Sequence, residues 1–203
     1  MIIGAVVLAA GKSERMGKNK LLLRFDGKLL IENILDALTI AGINDQVLVV
    51  GYKPGEIIGA VRPRLNTLKI AINGDYEQGM TSSFQKGLQT LSNVDAAFLV
   101  LGDEPIFDPK ILRFLIDKME KSGDEALIVS PIHKEKKGHP LLFHSQLFPE
   151  IRELKNPQTI RDVVHRHADK LVTVEAAQWT VMDIDTPEDY NSISKSMKTS
   201  QTP

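Results

Sequence analysis

Two cations in a short glycine loop, Arg15 and Lys20, are the first residues whose types and spacing could do chemistry. The loop AAGKSERMGKNK (9–20) continues the apolar run IIGAVVLAA (2–10). Backbone N–H groups in such a loop can face an anion, and Arg and Lys side chains can add charge-assisted hydrogen bonds to it. The stretch therefore predicts a phosphate-binding loop. The alternative is that both cations are solvated surface charges.

This loop fits neither of two common phosphate-binding fingerprints. The dinucleotide pattern G-x-G-x-x-G requires glycine at the positions that Ala9 and Glu14 occupy. The Walker pattern G-x-x-x-x-G-K-[ST] allows four residues between its glycines, whereas five separate Gly11 from Gly17. Both familiar binding modes are therefore excluded for this loop.

Acidic residues follow two later apolar runs. Asp103 lies in LGDEP (101–105), where a carboxylate facing a nucleotide would be a natural Mg²⁺ ligand, because Mg²⁺ takes one or two carboxylates together with phosphates and water. Asp183 and Asp185 lie two residues apart in DIDTPEDY (183–190), so that both point to one side of an extended strand. For Asp103, the alternative role is that of a turn or cap residue.

The segment NGDYEQGMTSS (73–83) carries further candidate binding residues. Gly79 would allow a close approach of the backbone, and Ser82 and Ser83 can supply hydroxyls to a base or a ribose. The alternative is that the serines only cap the helix that follows.

Composition limits the classes of function. The 203 residues suffice for one domain, and 25 Lys and Arg against 26 Asp and Glu leave no basic excess for binding nucleic acid or a membrane surface. The absence of cysteine excludes disulfides, thiolate zinc sites and cysteine nucleophiles. No apolar run approaches the ~20 residues of a membrane span, and the amino terminus lacks the basic start of a signal peptide. We expect a soluble cytoplasmic protein.

Alternating strands and helices must position these loops. Near-continuous apolar, β-branched runs predict buried parallel strands, and apolar residues at helical spacing predict the helices between them. The predicted strands are 2–10, 46–52, 68–73, 95–103, 126–131, 141–143, 170–176 and 180–185. The predicted helices are 28–42, 55–61, 81–92, 108–123, 144–154, 157–168 and 186–197, with a charged loop at 132–140.

This order predicts a single three-layer α/β/α domain with a doubly wound, mostly parallel sheet. We expect that domain to cover residues 1–195, followed by a flexible tail at 196–203. In such sheets, active sites lie at the carboxyl ends of strands, and all the candidate segments named above fall there.

The A-A-G-x-S-x-R-M-G-x-x-K spacing resembles the signature of the MobA-like NTP transferase family. Its LAAG form is most similar to the molybdopterin (molybdenum cofactor) cytidylyltransferases, whereas guanylyltransferase relatives usually carry glycine where this chain has Ala10. The segments G-M-x-x-S, LGD-x-P, G-H-P and D-T-P-E-D resemble later blocks of the family, so that the resemblance extends from residue 3 to about 192. Glu104 departs from the pattern, since relatives often carry Gln or Met there. The fold implied is the nucleotide-diphospho-sugar-transferase (GT-A-like), Rossmann-like fold.

The resemblance implies an Mg²⁺-dependent transfer of CMP from CTP to the terminal phosphate of molybdopterin, with release of pyrophosphate. It implies Mg²⁺ on Asp103 and on Asp185 or Asp183, of which the D-T-P alignment favours Asp185. Lys20 would stabilise charge at the α-phosphorus, and Arg15 would hold the leaving pyrophosphate. The nucleotide site implied consists of Leu8, Ala9, Ala10, Gly11, Lys12, Ser13, Arg15, Lys20, Gly79, Ser82, Ser83 and Asp103. The acceptor would face Gly138 and His139.

Three alternatives remain open. The chain could use GTP, could act on another phosphate acceptor such as a sugar 1-phosphate, or could be a non-catalytic chaperone that binds the nucleotide or the cofactor. The partners implied are CTP or another NTP, a molybdopterin-type phosphate acceptor and, for delivery, a molybdenum hydroxylase or its chaperone. Neither nucleic acid nor a membrane is expected as a partner, and we expect a monomer or a weak dimer.

Overall fold

The computed structural model describes residues 1–13, 16, 19–25, 27–106, 108–182, 184, 186 and 188–190. The strands are β1 (Ile3–Ala9), β2 (Arg24–Phe25), β3 (Lys28–Leu29), β4 (Asp45–Val50), β5 (Leu68–Ile72), β6 (Ala96–Leu101), β7 (Ile128–His133), β8 (Lys136–Lys137), β9 (Leu141–His144) and β10 (Leu171–Glu175). The α-helices are α1 (Leu30–Ile40), α2 (Pro54–Ala60), α3 (Met80–Thr90), α4 (Lys110–Ser122), α5 (Phe148–Glu153) and α6 (Ile160–Arg166). None of the described helices is long and apolar enough to cross a membrane.

Within the described part of the chain, eight strands form the main sheet. Their order is β10-β7-β9-β6-β1-β4-β5, and β8 pairs with β7. The strands β5, β4, β1 and β6 are parallel, as are β7 and β10, whereas β9 runs antiparallel between β6 and β7. The predicted mostly parallel, mixed sheet is confirmed. Its parallel half brings the carboxyl ends of four strands to one edge.

Helices cover both faces of this sheet. Alternate residues of β1 point to opposite sides, so that Val7 packs in one cluster with Leu35 of α1 and Leu115 of α4, whereas Val6 packs in the other with Phe84 of α3. These side chains have no solvent exposure. The predicted three-layer α/β/α architecture is therefore confirmed.

A glycine lets α3 lie close to the sheet. A Cβ atom at Gly87 would stand only 2.1 Å from Cγ1 of Val6 on β1. Ser83 lies one helical turn before Gly87 on the same face of α3. The close contact therefore helps to set where the amino end of α3 meets the carboxyl end of β1.

The structure differs from the sequence prediction in the carboxyl-terminal third. The charged segment 132–140 is not simply a loop, since β7 continues into it and pairs with β8 through a turn in which Lys134 and Glu135 have positive φ. A Lys-Glu pair at such a turn is unusual, because Asn and Gly dominate it, so a hairpin could not be predicted from these residues.

Two further element boundaries shift. Helix α1 begins at Leu30, two residues later than predicted, because Lys28 and Leu29 pair with β2. The predicted strand 180–185 is wrong over its described residues, since a 3₁₀ helix covers Gln178–Val181 and neither Met182 nor Ile184 is in a strand. The predicted last helix is present over 188–190. Its remainder and the predicted tail lie outside the described residues, so the domain boundary stays a prediction.

Candidate active site

The carboxyl ends of β1 and β6 meet the amino end of α3 around a cavity of about 340 Å³. Nine of the twelve residues predicted to bind the nucleotide line this cavity: Leu8, Ala9, Ala10, Gly11, Ser13, Lys20, Gly79, Ser83 and Asp103. Of the other three, Lys12 and Ser82 are not part of its lining, and Arg15 lies outside the described residues. The position of the predicted loop is thus observed, whereas its binding of nucleotide stays a prediction.

Backbone hydrogen bonds hold the loop that follows β1. The Ala10 carbonyl accepts a hydrogen bond from the Tyr52 N–H at 3.1 Å, which ties the loop to the end of β4. Ser13 has a left-handed backbone (φ 52°), and its carbonyl accepts a bond from the N–H of the buried Met16. A Cβ at Gly11 would meet no atom within 4 Å. The packing of the protein itself therefore does not require glycine at position 11, because a side-chain Cβ would fit there without a contact.

A lysine and an aspartate form the charged wall of the cavity. The Lys20 ammonium donates to Oδ2 of Asp103 at 2.5 Å, and the two side chains are 15% and 29% exposed. The residue before Asp103, Gly102, packs closely on the end of β1, because its N–H donates to the Leu8 carbonyl and a Cβ there would stand 2.5 Å from that oxygen. The ends of β6 and β1 are thus joined at the residue before Asp103.

The donor set at this wall is compatible with a magnesium ion. The described residues contain no cluster of three or more His, Cys, Asp or Glu that could enclose a metal. Mg²⁺ does not require such a cage, since it commonly binds one or two carboxylates and completes its shell with phosphates and water. Asp103 offers one carboxylate on the cavity wall. The predicted second ligand, Asp185, and its alternative Asp183 lie outside the described residues.

The chain from β10 to the last helix nevertheless reaches Asp103. The N–H of Ile184 donates to the Asp103 carbonyl at 3.2 Å, and the Ile184 side chain is fully buried. Ile184 stands between the two candidate acidic residues in the sequence. The chain at Ile184 is therefore tied to the backbone of Asp103.

At the amino end of α3, the two serines differ in their surroundings. The side-chain amide of the buried Asn73 donates to the hydroxyls of both Ser82 and Ser83 at 3.0 Å. The Ser82 hydroxyl lies 2.9 Å from the Gly79 carbonyl and can donate to it, whereas Ser83 lines the cavity. Ser82 thus has a structural role in the loop, which is similar to the alternative role of helix capping that the sequence analysis gave for the serines. Gly79 has φ 96°, a conformation that favours glycine.

Several residues of the site were missed by the sequence analysis. Tyr76 and Met80 line the cavity beside α3, and Asn73 orients the serines. Lys12 is not part of the cavity lining, but it connects the loop after β1 to the segment before α3. Its ammonium lies 2.7 Å from Glu77 and 5.9 Å from the Tyr76 ring centroid. The hydrogen bond from Lys12 lowers the pKa of Glu77. An aromatic residue three positions before Gly79 was the available signal.

The predicted acceptor residues Gly138 and His139 do not line this cavity. A Cβ at Gly138 would stand 1.9 Å from the Thr180 carbonyl, and that carbonyl accepts a bond from the His139 N–H at 2.9 Å. Burial lowers the pKa of His139 to about 4, and the negative charge of Asp103 and a hydrogen bond with the Leu99 backbone only partly oppose this shift. His139 is therefore neutral at pH 7. Gly138 has a packing role that needs no substrate.

The sequence model of the MobA-like NTP transferase domain matches residues 5–171. The chain belongs to this family. It is accordingly a nucleotidyltransferase, and all the residues that line the cavity described above lie within the matched region.

Relatives of two base specificities are similar to this NTP transferase. It is 29% identical over 189 residues to a molybdenum cofactor cytidylyltransferase of Escherichia coli, with 93% of each chain covered. It is 30% identical to a probable molybdenum cofactor guanylyltransferase of Thermococcus gammatolerans over 165 residues, which cover 76% of this chain and 75% of the relative. The identities are so close that they do not distinguish CTP from GTP.

A solved structure supports the fold and bears on the metal. The structure of Rv0371c from Mycobacterium tuberculosis in complex with manganese is similar to this chain, with a TM-score of 0.77 and 26% identity. The match covers 97% of this chain and all of that one. A divalent cation thus binds a protein with the same fold.

Proposed function

We propose that this nucleotidyltransferase transfers CMP from CTP to the terminal phosphate of molybdopterin, with Mg²⁺ bound, and releases pyrophosphate. The observation that carries the proposal is the Lys20–Asp103 ion pair on the wall of a cavity that four residues of the loop 9–13 also line. The similarity to the molybdenum cofactor cytidylyltransferase of Escherichia coli supports a molybdopterin-type acceptor, whereas the choice of CTP as the donor rests on Ala10 in the loop LAAG.

The proposed reaction needs positioning and charge neutralisation rather than a base. The attacking oxygen of the acceptor phosphate is already anionic at neutral pH, so no proton must be removed. It forms a bond to the α-phosphorus of CTP, while the bond from that phosphorus to the bridging oxygen breaks and pyrophosphate leaves with the electron pair. Stabilising the charge that develops on these oxygens is the main task of the site.

Each charged residue has a proposed part in this task. Lys20, oriented by its bond to Asp103, would contact the α-phosphate, and Arg15 would bind the departing pyrophosphate. Asp103, with Asp185 as the second ligand, would hold Mg²⁺, which when bound acts as a Lewis acid toward phosphoryl oxygens. The backbone of the loop and the hydroxyl of Ser83 would contact the nucleoside. Gly138 and His139 would face the acceptor.

We further propose that CTP is preferred over GTP by at least tenfold in kcat/KM. The cavity is near the lower end of the ~300–1,000 Å³ that small-molecule pockets span, and Ala10 is one of the residues that line it. Discrimination by shape is worth about 1–3 kcal/mol, which corresponds to roughly 10- to 200-fold. The variant Ala10→Gly should therefore narrow the preference without abolishing it.

Pyrophosphate release tests this function directly. The purified protein is incubated with Mg²⁺ and each of CTP, GTP, ATP and UTP, in the presence of molybdopterin, a sugar 1-phosphate or no acceptor. The proposal predicts release with CTP and molybdopterin. A preference for GTP would overturn the cytidylyl assignment but retain the acceptor. Release only with a sugar 1-phosphate would overturn the acceptor, and release with no pair would favour a nucleotide- or cofactor-binding chaperone.

A further inference from the structure

We propose that Tyr76 is a specificity-determining residue that selects the base of the nucleotide, and that Ala10 contributes to this choice by supporting Tyr76. This inference rests on the proposed function, since it concerns the same cavity. Among the described residues that line the cavity, Tyr76 carries the sole aromatic ring. A base is planar and aromatic, so that ring is the natural surface for it to contact.

Three residues from three loops meet behind this ring. A Cβ atom at Gly51 would stand 2.6 Å from Cβ of Tyr76 and 2.9 Å from Cβ of Ala10. The Cβ atoms of Tyr76 and Ala10 therefore both lie close to Gly51, on the side where a side chain would stand. Ala10 is only 7% exposed, so little of its methyl faces the open cavity. Removing the methyl should let Tyr76 settle toward the loop.

The outer side of the Tyr76 ring is also held. The Tyr52 ring lies against it with centroids 6.3 Å apart and planes tilted by 57°. The Lys12 ammonium lies 5.9 Å from the Tyr76 centroid, and Glu77 keeps that ammonium in place at 2.7 Å. Such cation–ring contacts are weakly attractive at exposed sites. The ring is thus supported from outside while it still contributes to the cavity wall.

The apolar surface continues from Tyr76 to the start of α3. Met80 lines the cavity and is 42% exposed. Its neighbour on the wall, Ser83, accepts a hydrogen bond from Asn73 and so keeps its own O–H to donate. An apolar surface with one fixed hydroxyl donor suits a heterocycle with acceptor atoms on its edge. The position of the Tyr76 ring then determines whether the cavity accepts only the single ring of a pyrimidine or also the two fused rings of a purine.

The test measures binding, so that it does not depend on the acceptor. Dissociation constants for CTP and GTP with Mg²⁺ are determined by titration calorimetry for the wild type, Tyr76→Ala and Tyr76→Phe. We expect Tyr76→Ala to lower the ratio of GTP to CTP dissociation constants by tenfold or more. Tyr76→Phe keeps the ring and should leave the ratio within about threefold of the wild-type ratio. A larger change in Tyr76→Phe would mean that the hydroxyl, and not the ring, sets the ratio. Thermal unfolding of each variant checks that the fold is retained.

A double-mutant cycle tests the part of Ala10. If Ala10 acts through Tyr76, Ala10→Gly should lower the ratio in the wild type and leave it unchanged in the Tyr76→Ala background, because coupled residues do not act additively. An unaltered ratio in Tyr76→Ala would overturn the role of Tyr76. Additive effects would overturn the support by Ala10. A wild type that binds GTP more tightly would contradict the proposed use of CTP, but a changed ratio in Tyr76→Ala would still uphold the selection by Tyr76.

Discussion

The substitution Gly87→Ala measures how closely the packing of α3 is linked to the site. The new Cβ would lie 2.1 Å from Cγ1 and 2.9 Å from Cγ2 of Val6. Carbon atoms in contact prefer about 3.5–4.0 Å, so α3 and β1 must separate by more than about 1 Å. Val6 is fully buried and branched at Cβ, so it has little freedom to turn away.

The expected loss of stability follows from this overlap. Overpacking a core costs about 1–3 kcal/mol, and the better helix propensity of alanine offsets up to about 1 kcal/mol of it. We therefore expect the free energy of unfolding to fall by about 1–2 kcal/mol. For a domain of this size, that loss lowers Tm by roughly 2–8 °C.

The same displacement should reach the nucleotide cavity. Ser83 lies one turn before Gly87 on α3 and lines the cavity. Because a misplacement of about 1 Å can cost on the order of 100-fold in rate, we expect kcat/KM for pyrophosphate release to fall by roughly 10- to 100-fold. Both quantities should thus decrease together.

Gly59→Ala provides the matched control. Gly59 lies within α2, where a Cβ would meet no atom within 4 Å. This variant should gain about 0.5–1 kcal/mol and keep its activity, because alanine is the better helix former. Thermal unfolding and pyrophosphate release are measured for both variants. If Gly87→Ala proved as stable and as active as Gly59→Ala, the inferred tight coupling of α3 to β1 would be refuted.

Two further predictions concern electrostatics. Burial acts to raise the pKa of Asp45, but hydrogen bonds from Lys69 and Ser92 outweigh it and hold the pKa below its ordinary value. The stability that Asp45 contributes is therefore present above about pH 4 and is lost as the pH falls through the lower pKa of the folded state. Asp45→Asn should cost about 1 kcal/mol at pH 7 and less at pH 3 in urea unfolding, and an equal cost at both pH values would contradict this cause. Arg15→Lys should lower kcat/KM about tenfold or more, since lysine cannot bind pyrophosphate in bidentate fashion, and an unchanged value would mean that the Arg15 charge is incidental.

The central part of the fold was predictable from the sequence because its strands are buried on both faces. The continuous apolar runs at 2–10 and 95–103 correspond to β1 and β6, whose side chains alternate between two cores. The strand order was not readable, since the antiparallel insertion of β9 depends on pairings far apart in the sequence. The segment 180–185 reads as a strand by composition, but its start folds as a 3₁₀ turn whose Thr180 carbonyl packs on Gly138.

The site was predictable where motif spacing fixes the backbone, and less so where side chains meet in space. The loop 9–13 and Asp103 carry a local signature, and the structure brings them to one cavity. Tyr76 lines that cavity and Asn73 hydrogen-bonds to Ser83 on its wall, but the sequence pattern alone does not specify either contact. Adjacent serines also look alike in sequence, although Ser82 bonds to its own loop and Ser83 faces the cavity.

The most direct test of nucleotidyl transfer at this site compares Asp103→Asn with Asp169→Asn. Asp103 lies on the cavity wall beside Lys20, whereas Asp169 is exposed and precedes β10 at the opposite edge of the sheet. Pyrophosphate release from CTP with Mg²⁺ and molybdopterin is measured for both variants and the wild type. Because a metal-held charge should contribute several kcal/mol to the transition state, we expect Asp103→Asn to lose about a thousandfold in kcat/KM. Asp169→Asn should keep the wild-type value. Near-normal pyrophosphate release by Asp103→Asn would contradict the proposal that nucleotidyl transfer takes place at this site with Asp103 as a metal ligand.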